Sequence, residues 1–521
     1  MKRSWPRLVP DDQDTATTGT VGVVLAVYAP FGTDTALSSY PGNAPQPLVD
    51  HPLVRHLRQV AKSGVHVSAL IDRVGENTFL VEIPAGRPGE VRITSSWKED
   101  MSSPLALAGF LERTYECHPR CAVVLCLEGH GAAYLPELDR TKLTLRNVTA
   151  GGQITWQLKD DGSPILPTGA PVLPTGAPVL PTGAPVLPVN HMPISNWGLG
   201  EALRRAQRCG APKLAVLHLN NCFNMSVELL HTVADHAEYA TGYMNYNFFT
   251  AGESYPWVFQ QLAAAGTATS RRLAEWFALG NGNFLAAKNN HPTTGGSVRL
   301  AAMDDIADGV DKLAGELLRA LREHALGSPQ RNAVVTTIQQ AIAKAQQYDT
   351  RVGLQLETPD ELTDLCSLAL ALQASAKLSA GVRDAATVLA GRLAGIKRYG
   401  ADDRPWIDTN VRWDFKPAVK SDLAMNIFLP DPLRIGEWDW RSPYYMDINP
   451  DPNLGIQPHV IRFLTDTDWV EFIDEYHKQV PFRGLLPAAI PEFPVFNPKF
   501  VPPKEPPGQP YPNDKPGQSA A

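Results

Sequence analysis

Apolar residues follow two rhythms between residues 20 and 303. Short Val- and Leu-rich runs bounded by breakers alternate with stretches whose apolar positions recur every three or four residues. Val21–Tyr28, Val65–Ile71, Cys121–Leu127 and Lys213–Leu219 read as buried strands. His51–Ser63 reads as a helix with Leu53, Leu57 and Val60 on one face. Ser103–Glu116 reads as another, with Pro104 at its start. Asn77–Ile83 and Val91–Ser95 suit a hairpin. Ser195 suits the N-cap of a helix over Trp197–Arg208.

A helix at Ser226–Ala237, a strand at Tyr239–Met244, helices at Tyr255–Ala264 and Thr269–Leu279, and a strand at Ser297–Met303 continue the series. This alternation predicts an α/β fold with a mostly parallel central sheet covered on both faces. A mixed helical C-terminal region follows: amphipathic helices to about Lys397, then a Trp- and Pro-rich stretch to 480.

Three segments break the pattern. Residues 1–19 read as a tail. Residues 135–193 read as a loop insertion containing a heptad repeat, LPTGAPV at 166–172, 173–179 and 180–186, with a partial copy from Leu187. Its Pro and Gly density excludes helix and central strand. Residues 481–521 form a Pro-rich tail. The resulting division is 1–19, an α/β unit at 20–303 carrying the 135–193 insertion, 304–480, and 481–521.

At 521 residues the chain is long enough for a full core, and its net charge of −7 gives no reason to expect nucleic acid as a partner. No run is long enough to span a bilayer, and no apolar stretch follows the basic Lys2 and Arg3 as an export signal would require. The six cysteines contain no C-x-x-C pair and are expected to be reduced, which favours a cytoplasmic location. Cys121 and Cys126 read as core thiols and His218 as a packing residue.

Two strands end on residues able to do chemistry. Cys121–Leu127 runs into Glu128-Gly129-His130-Gly131, and Lys213–Leu219 runs into Asn220-Asn221-Cys222. Ligands of open α/β sheets bind beyond the carboxyl ends of strands. Parallel neighbours would therefore bring an imidazole and a thiol to one edge. A thiol attacks as its thiolate, which a nearby imidazole generates, and a helix N-terminus near Ser226 would favour the anion. The backbone N–H groups of Gly131 and Cys222 would form an oxyanion hole.

Further segments carry a family resemblance. They are Asp100–Leu111, Leu127-Glu-Gly-His-Gly131, Ile194–Leu203, Asn220-Asn-Cys-Phe-Asn-Met-Ser-Val-Glu228, Tyr239–Trp257, Asp422–Pro430 and Phe463–Phe472, in order along the chain. Together they resemble the clostripain family of cysteine peptidases, within the clan that has the caspase fold. The resemblance implies a caspase-like α/β/α sandwich, with His130 as general base and Cys222 as nucleophile. It also implies a protein or peptide substrate.

Relatives that cleave after Arg or Lys carry Asp two residues before the nucleophile; here that position is Asn220. A neutral amide does not pair a buried cation, so a polar or apolar preference is expected unless a carboxylate such as Glu253 substitutes. Asn220, Asn221, Tyr246, Glu253 and Trp257 are the candidate pocket residues. The alternative for the aromatic loop is ordinary core packing.

The expected protein is an intracellular cysteine endopeptidase. The 166–187 loop lies where caspase-fold enzymes carry a processing loop, and a tolerated insertion is the plainer alternative. By analogy with bacterial caspase-like peptidases, a role in defence or cell death, acting on a partner such as a pore-forming protein, comes with the resemblance. The competing class is a catalytically silent scaffold that binds peptides. No cofactor or metal is expected. Asp447, Asn449, Asp451 and Asn453 alternate as calcium ligands do, but Pro452 stands where such a loop needs Gly.

Overall fold

The computed structural model describes residues 5–9, 21–31, 46–73, 77–97, 99–129, 131, 133–134, 157–158, 164–165, 194–245, 247, 250–288, 295–348, 362–399, 406–407, 412–413, 423–429 and 461–478. His130, Tyr246, the 166–187 repeat, the 447–453 stretch and the 481–521 tail lie outside the described residues.

The central sheet has nine strands: β1 (Gly22–Pro30), β2 (His66–Asp72), β3 (Thr78–Ile83), β4 (Arg92–Trp97), β5 (Cys121–Glu128), β6 (Leu214–Asn220), β7 (Ala237–Tyr243), β8 (Gly295–Arg299) and β9 (Lys397–Tyr399). Their spatial order is β9-β8-β7-β6-β5-β1-β2-β3-β4. Strands β7, β6, β5, β1 and β2 are mutually parallel. Antiparallel strands close both edges: β3 and β4 form the expected hairpin on one side, and β8 and β9 flank the other.

Side-chain alternation along β1 divides the core in two. Val23, Leu25, Val27 and Ala29 face α1 (Pro52–Lys62), α5 (Tyr255–Ala265) and α6 (Ser270–Lys288). Val24, Ala26 and Tyr28 face the layer containing α2 (Pro104–Cys117), α3 (Asn196–Arg208), α4 (Val227–Thr232) and α7 (Met303–Arg322). Because both faces are covered, the central strands are apolar throughout, which is why they read as continuous runs. The fold is a three-layer α/β/α sandwich.

Helices α8 (Pro329–Lys344), α9 (Leu365–Gln373), α10 (Ala380–Leu393) and α12 (Trp469–His477), with the short α11 (Arg462–Asp466), share the core of that second layer. The segment after residue 303 also supplies β9 to the sheet edge. It adds a second antiparallel pair, Leu362–Asp364 with Asn426–Phe428.

Several boundaries differ from expectation. Helix α4 stops at Thr232 rather than running to Ala237, because the chain turns after Val233 and enters β7 at Ala237. Strand β8 ends at Arg299, and the helix expected after 304 starts at Met303. Part of the expected N-terminal tail is ordered: Arg7–Val9 pairs parallel with Thr267–Thr269, burying Leu8. Trp5 lies over Gly64 and Gly86, where a Cβ would overlap the indole, so the missing side chains leave it room.

Candidate active site

Strands β5 and β6 are parallel neighbours whose last residues, Glu128 and Asn220, are register partners. Both strand ends named by the sequence therefore open on one edge of the sheet, at its carboxyl side. Beyond them, Gly131 packs against Cys222. A Cβ on Gly131 would sit 2.9 Å from the Cys222 nitrogen and would overlap its carbonyl oxygen. Only glycine allows that approach, which accounts for the Gly after His130 in physical terms.

The Cys222 loop runs along the end of β7. The Phe223 N–H donates to the Asn245 carbonyl at 2.9 Å, and the Met225 N–H to the Tyr243 carbonyl at 3.0 Å. Phe223 holds a φ of 61° while fully buried. Among the described residues, the non-glycine positions with positive φ are Ala133, Phe223 and Ala251, and all three lie in loops at this edge. Such backbone costs on the order of 1–3 kcal/mol per residue and persists where surroundings over-determine it.

Cys222 is partly buried, and burial pushes its thiol up to about 11. The N–H of Asn247 meets Sγ at 3.4 Å and pulls the other way. The sulfur also lies 3.4 Å from the Asn247 carbonyl oxygen. The helix expected near Ser226 begins there: Ser226 caps α4, accepting from the Leu229 N–H at 3.2 Å.

Beneath the loop lies a buried polar network. The Asn220 amide donates to Glu128 Oε1 at 3.0 Å and to Thr250 Oγ1 at 3.4 Å. Its carbonyl oxygen accepts from Asn247 Nδ2 at 2.9 Å and from Asn281 Nδ2 of α6 at 2.7 Å. The Tyr255 hydroxyl donates to the same Glu128 oxygen. Burial raises the Glu128 carboxyl to about 7, with the bonds from Tyr255 and Asn220 opposing the rise. Glu128 Oε2 is buried with no hydrogen-bond partner among the described residues.

The other pocket candidates divide. Asn221 Oδ1 accepts from Asn224 Nδ2 at 2.8 Å, and Asn224 Oδ1 accepts from the Ala133 N–H at 3.1 Å, which ties the loop after β5 to the loop after β6. Asn221, Asn224, Ala133 and Glu128 help line a cavity of about 20 Å³, room for about one water. Glu253 is half-buried in the turn before α5, its N–H donating to the Thr250 carbonyl at 3.0 Å. Trp257 packs in α5 against Gly280 of α6, as core packing predicts. His218 is buried, stacked on Phe277, and bonded through Nδ1 to Thr241 Oγ1 at 2.6 Å. Cys126 is buried, whereas Cys121 is half-exposed. Among the described residues, no group of three His, Cys, Asp or Glu is arranged to hold a metal. None of their helices is long and apolar enough to cross a membrane.

Sequence reasoning missed two participants. Glu128 passed as part of the His-Gly segment, although an acidic residue closing a buried strand was a usable signal. Asn426 belongs to a segment that resembled the family without an assigned role. Its amide donates to the carbonyl oxygens of Phe223 at 2.7 Å and Met244 at 2.8 Å. Its backbone N–H donates to the Met225 carbonyl at 2.9 Å. Nearby, the Phe428 N–H donates to Glu228 Oε1 at 2.8 Å, and Trp469 Nε1 donates to the Phe428 carbonyl at 3.0 Å.

This fold is shared with C11, or clostripain-family, cysteine proteases. A secreted C11 cysteine protease from Bacteroides thetaiotaomicron, solved with an irreversible peptide inhibitor, matches 86% of this chain and 99% of its own at 11% identity, with a TM-score of 0.52. An inactive zymogen C11 protease from Parabacteroides distasonis matches 88% of this chain and 99% of its own at 11% identity, with a TM-score of 0.48. No family model matches the sequence, and no curated protein sequence matches it.

Proposed function

We propose that the protein is a cysteine endopeptidase using Cys222 as nucleophile and His130 as general base. The observation that carries this reading is the seating of Gly131 against Cys222, which brings the loop after β5 onto the loop after β6. The shared fold supports it, and the neighbour that holds a peptide inhibitor supports a peptide substrate.

In this reading His130 takes the thiol proton and Cys222 Sγ attacks the scissile carbonyl carbon. His130 then returns the proton to the leaving amine, and water hydrolyses the thioester. Burial alone holds the thiol up at about 11, so its reactivity at neutral pH depends on a base beside it, which in this reading is His130. The reaction needs no cofactor or metal.

The protein is proposed to act in the cytoplasm; for the 166–187 repeat a tolerated insertion is the plainer reading, and a processing loop the alternative that its deletion would test. By analogy it belongs to a defence or cell-death system and activates a partner such as a pore-forming protein.

Site-resolved alkylation by iodoacetamide tests the dyad. Cys117 and Cys209 are exposed and label as ordinary surface thiols. Cys222 should label faster than either at neutral pH and lose that advantage in His130→Ala. Equal labelling of Cys222 in both proteins points to a silent scaffold.

A further inference from the structure

The residue that replaces the expected acidic position does not act as an open specificity pocket. Asn220 is 2% exposed, and both ends of its amide are bonded. We propose that Asn220 is a positioning residue, anchored by Glu128, that holds Asn247 so that the Asn247 backbone N–H faces the Cys222 sulfur. The proposal rests on Cys222 being the nucleophile.

The chain of hydrogen bonds is continuous. Glu128 Oε1 accepts from Asn220 Nδ2 at 3.0 Å, Asn220 Oδ1 accepts from Asn247 Nδ2 at 2.9 Å, and the Asn247 N–H meets Cys222 Sγ at 3.4 Å. Asn281 adds a second donor to Asn220 Oδ1 from α6. The loop segment carrying Asn247 is thereby tied to two strand ends and a helix.

The chemistry requires an amide at 220. An ionised carboxylate only accepts, so Glu128 needs a donor opposite it. Asn281 and Asn247 are both donors, so they need an acceptor at the other end. Asn supplies both within this length without depending on a proton, whereas Asp would supply both only while protonated. Asp would set a second carboxylate about 3 Å from Glu128 Oε1, and two buried carboxylates at that distance do not both ionise. With Asn at 220 the pair has a single titratable carboxyl, that of Glu128 on β5. Thus Glu128 explains Asn220.

The pair also provides its own test, an exchange of charge between partners. In Asn220→Asp, kcat should fall about 10- to 100-fold, with KM changing less than about threefold, because the nucleophile is misplaced while substrate binding is left intact. Alkylation of Cys222 should slow in parallel. In the double variant Glu128→Gln/Asn220→Asp, the new amide on β5 donates to the new carboxylate on β6, and most of both losses should be recovered.

Three results would overturn the proposal: unchanged kcat and alkylation in Asn220→Asp, losses that the double variant does not recover, or gain of cleavage after Lys or Arg at full kcat. If Asn220→Asp does not fold, Asn247→Ala carries the test. It keeps the backbone N–H and removes only the tether. Slower Cys222 alkylation supports the proposal, and wild-type alkylation contradicts it. Alkylation needs no substrate. Absence of peptide cleavage by the wild type, with alkylation still responding to these variants, would remove the peptidase reading and leave the positioning role standing.

Discussion

Asn426 donates its side-chain amide to the carbonyl oxygen of Phe223, the residue after Cys222, across 203 positions of sequence. The same amide reaches the Met244 carbonyl at the end of β7. One side chain from the C-terminal half thus holds together the loop carrying the thiol and the strand beside it. Phe223 has a left-handed φ, and bonds to both sides of the loop make such a conformation persist.

Removing that clamp should cost more than one hydrogen bond. Asn426→Ala leaves two carbonyl oxygens short of a donor in a buried site. The expected loss is about 2–4 kcal/mol of stability. Cys222 should also lose its alkylation advantage, even at temperatures where the variant remains folded. Urea unfolding followed by fluorescence, with alkylation mapped by mass spectrometry, measures both.

Glycine at 131 is required by its close approach to Cys222, and this can be separated from general intolerance. Gly131→Ala places a methyl group on the Cys222 backbone. It should lower peptide hydrolysis at least about tenfold and cost about 1–3 kcal/mol. Gly109, exposed in α2 with open space around it, is the control. Gly109→Ala should leave hydrolysis unchanged and stabilise the fold by about 0.5–1 kcal/mol. Equal effects at the two positions would remove the close approach as the explanation.

Glu128 predicts a pH dependence of stability. Its folded carboxyl ionises at about 7, above the ordinary 4.5. The folded state therefore holds the proton more tightly than the unfolded chain. The contribution is complete below the unfolded value and declines as pH rises through about 7. Asp364, raised by burial to about 6, adds a decline of the same sign that is common to wild type and variant. The stability of Glu128→Gln relative to wild type should accordingly rise between about pH 5 and pH 8. Urea titrations at the two pH values read the difference, and a flat difference would contradict a raised carboxyl.

The sandwich was legible in the sequence because burial on both faces writes each central strand as an apolar run. The meeting of Gly131 and Cys222 was legible for a related reason: both follow parallel strands directly, so local order implied shared location. The Glu128–Asn220 pairing was not legible, since it depends on the register between two strands 92 residues apart, which periodicity does not encode. Asn426 was hidden in the same way, by sequence distance. The helix after Cys222 was legible from its cap, and it opens at Ser226. The N–H that meets the Cys222 sulfur was not legible, because it comes from Asn247, 25 residues further along the chain.

Cleavage of a diverse peptide library, read by mass spectrometry beside Cys222→Ala, tests the central claim most directly. The account predicts discrete cut sites with the wild-type protein and none with the variant. No cuts by the wild type under any condition, or the same cuts by Cys222→Ala, would contradict it.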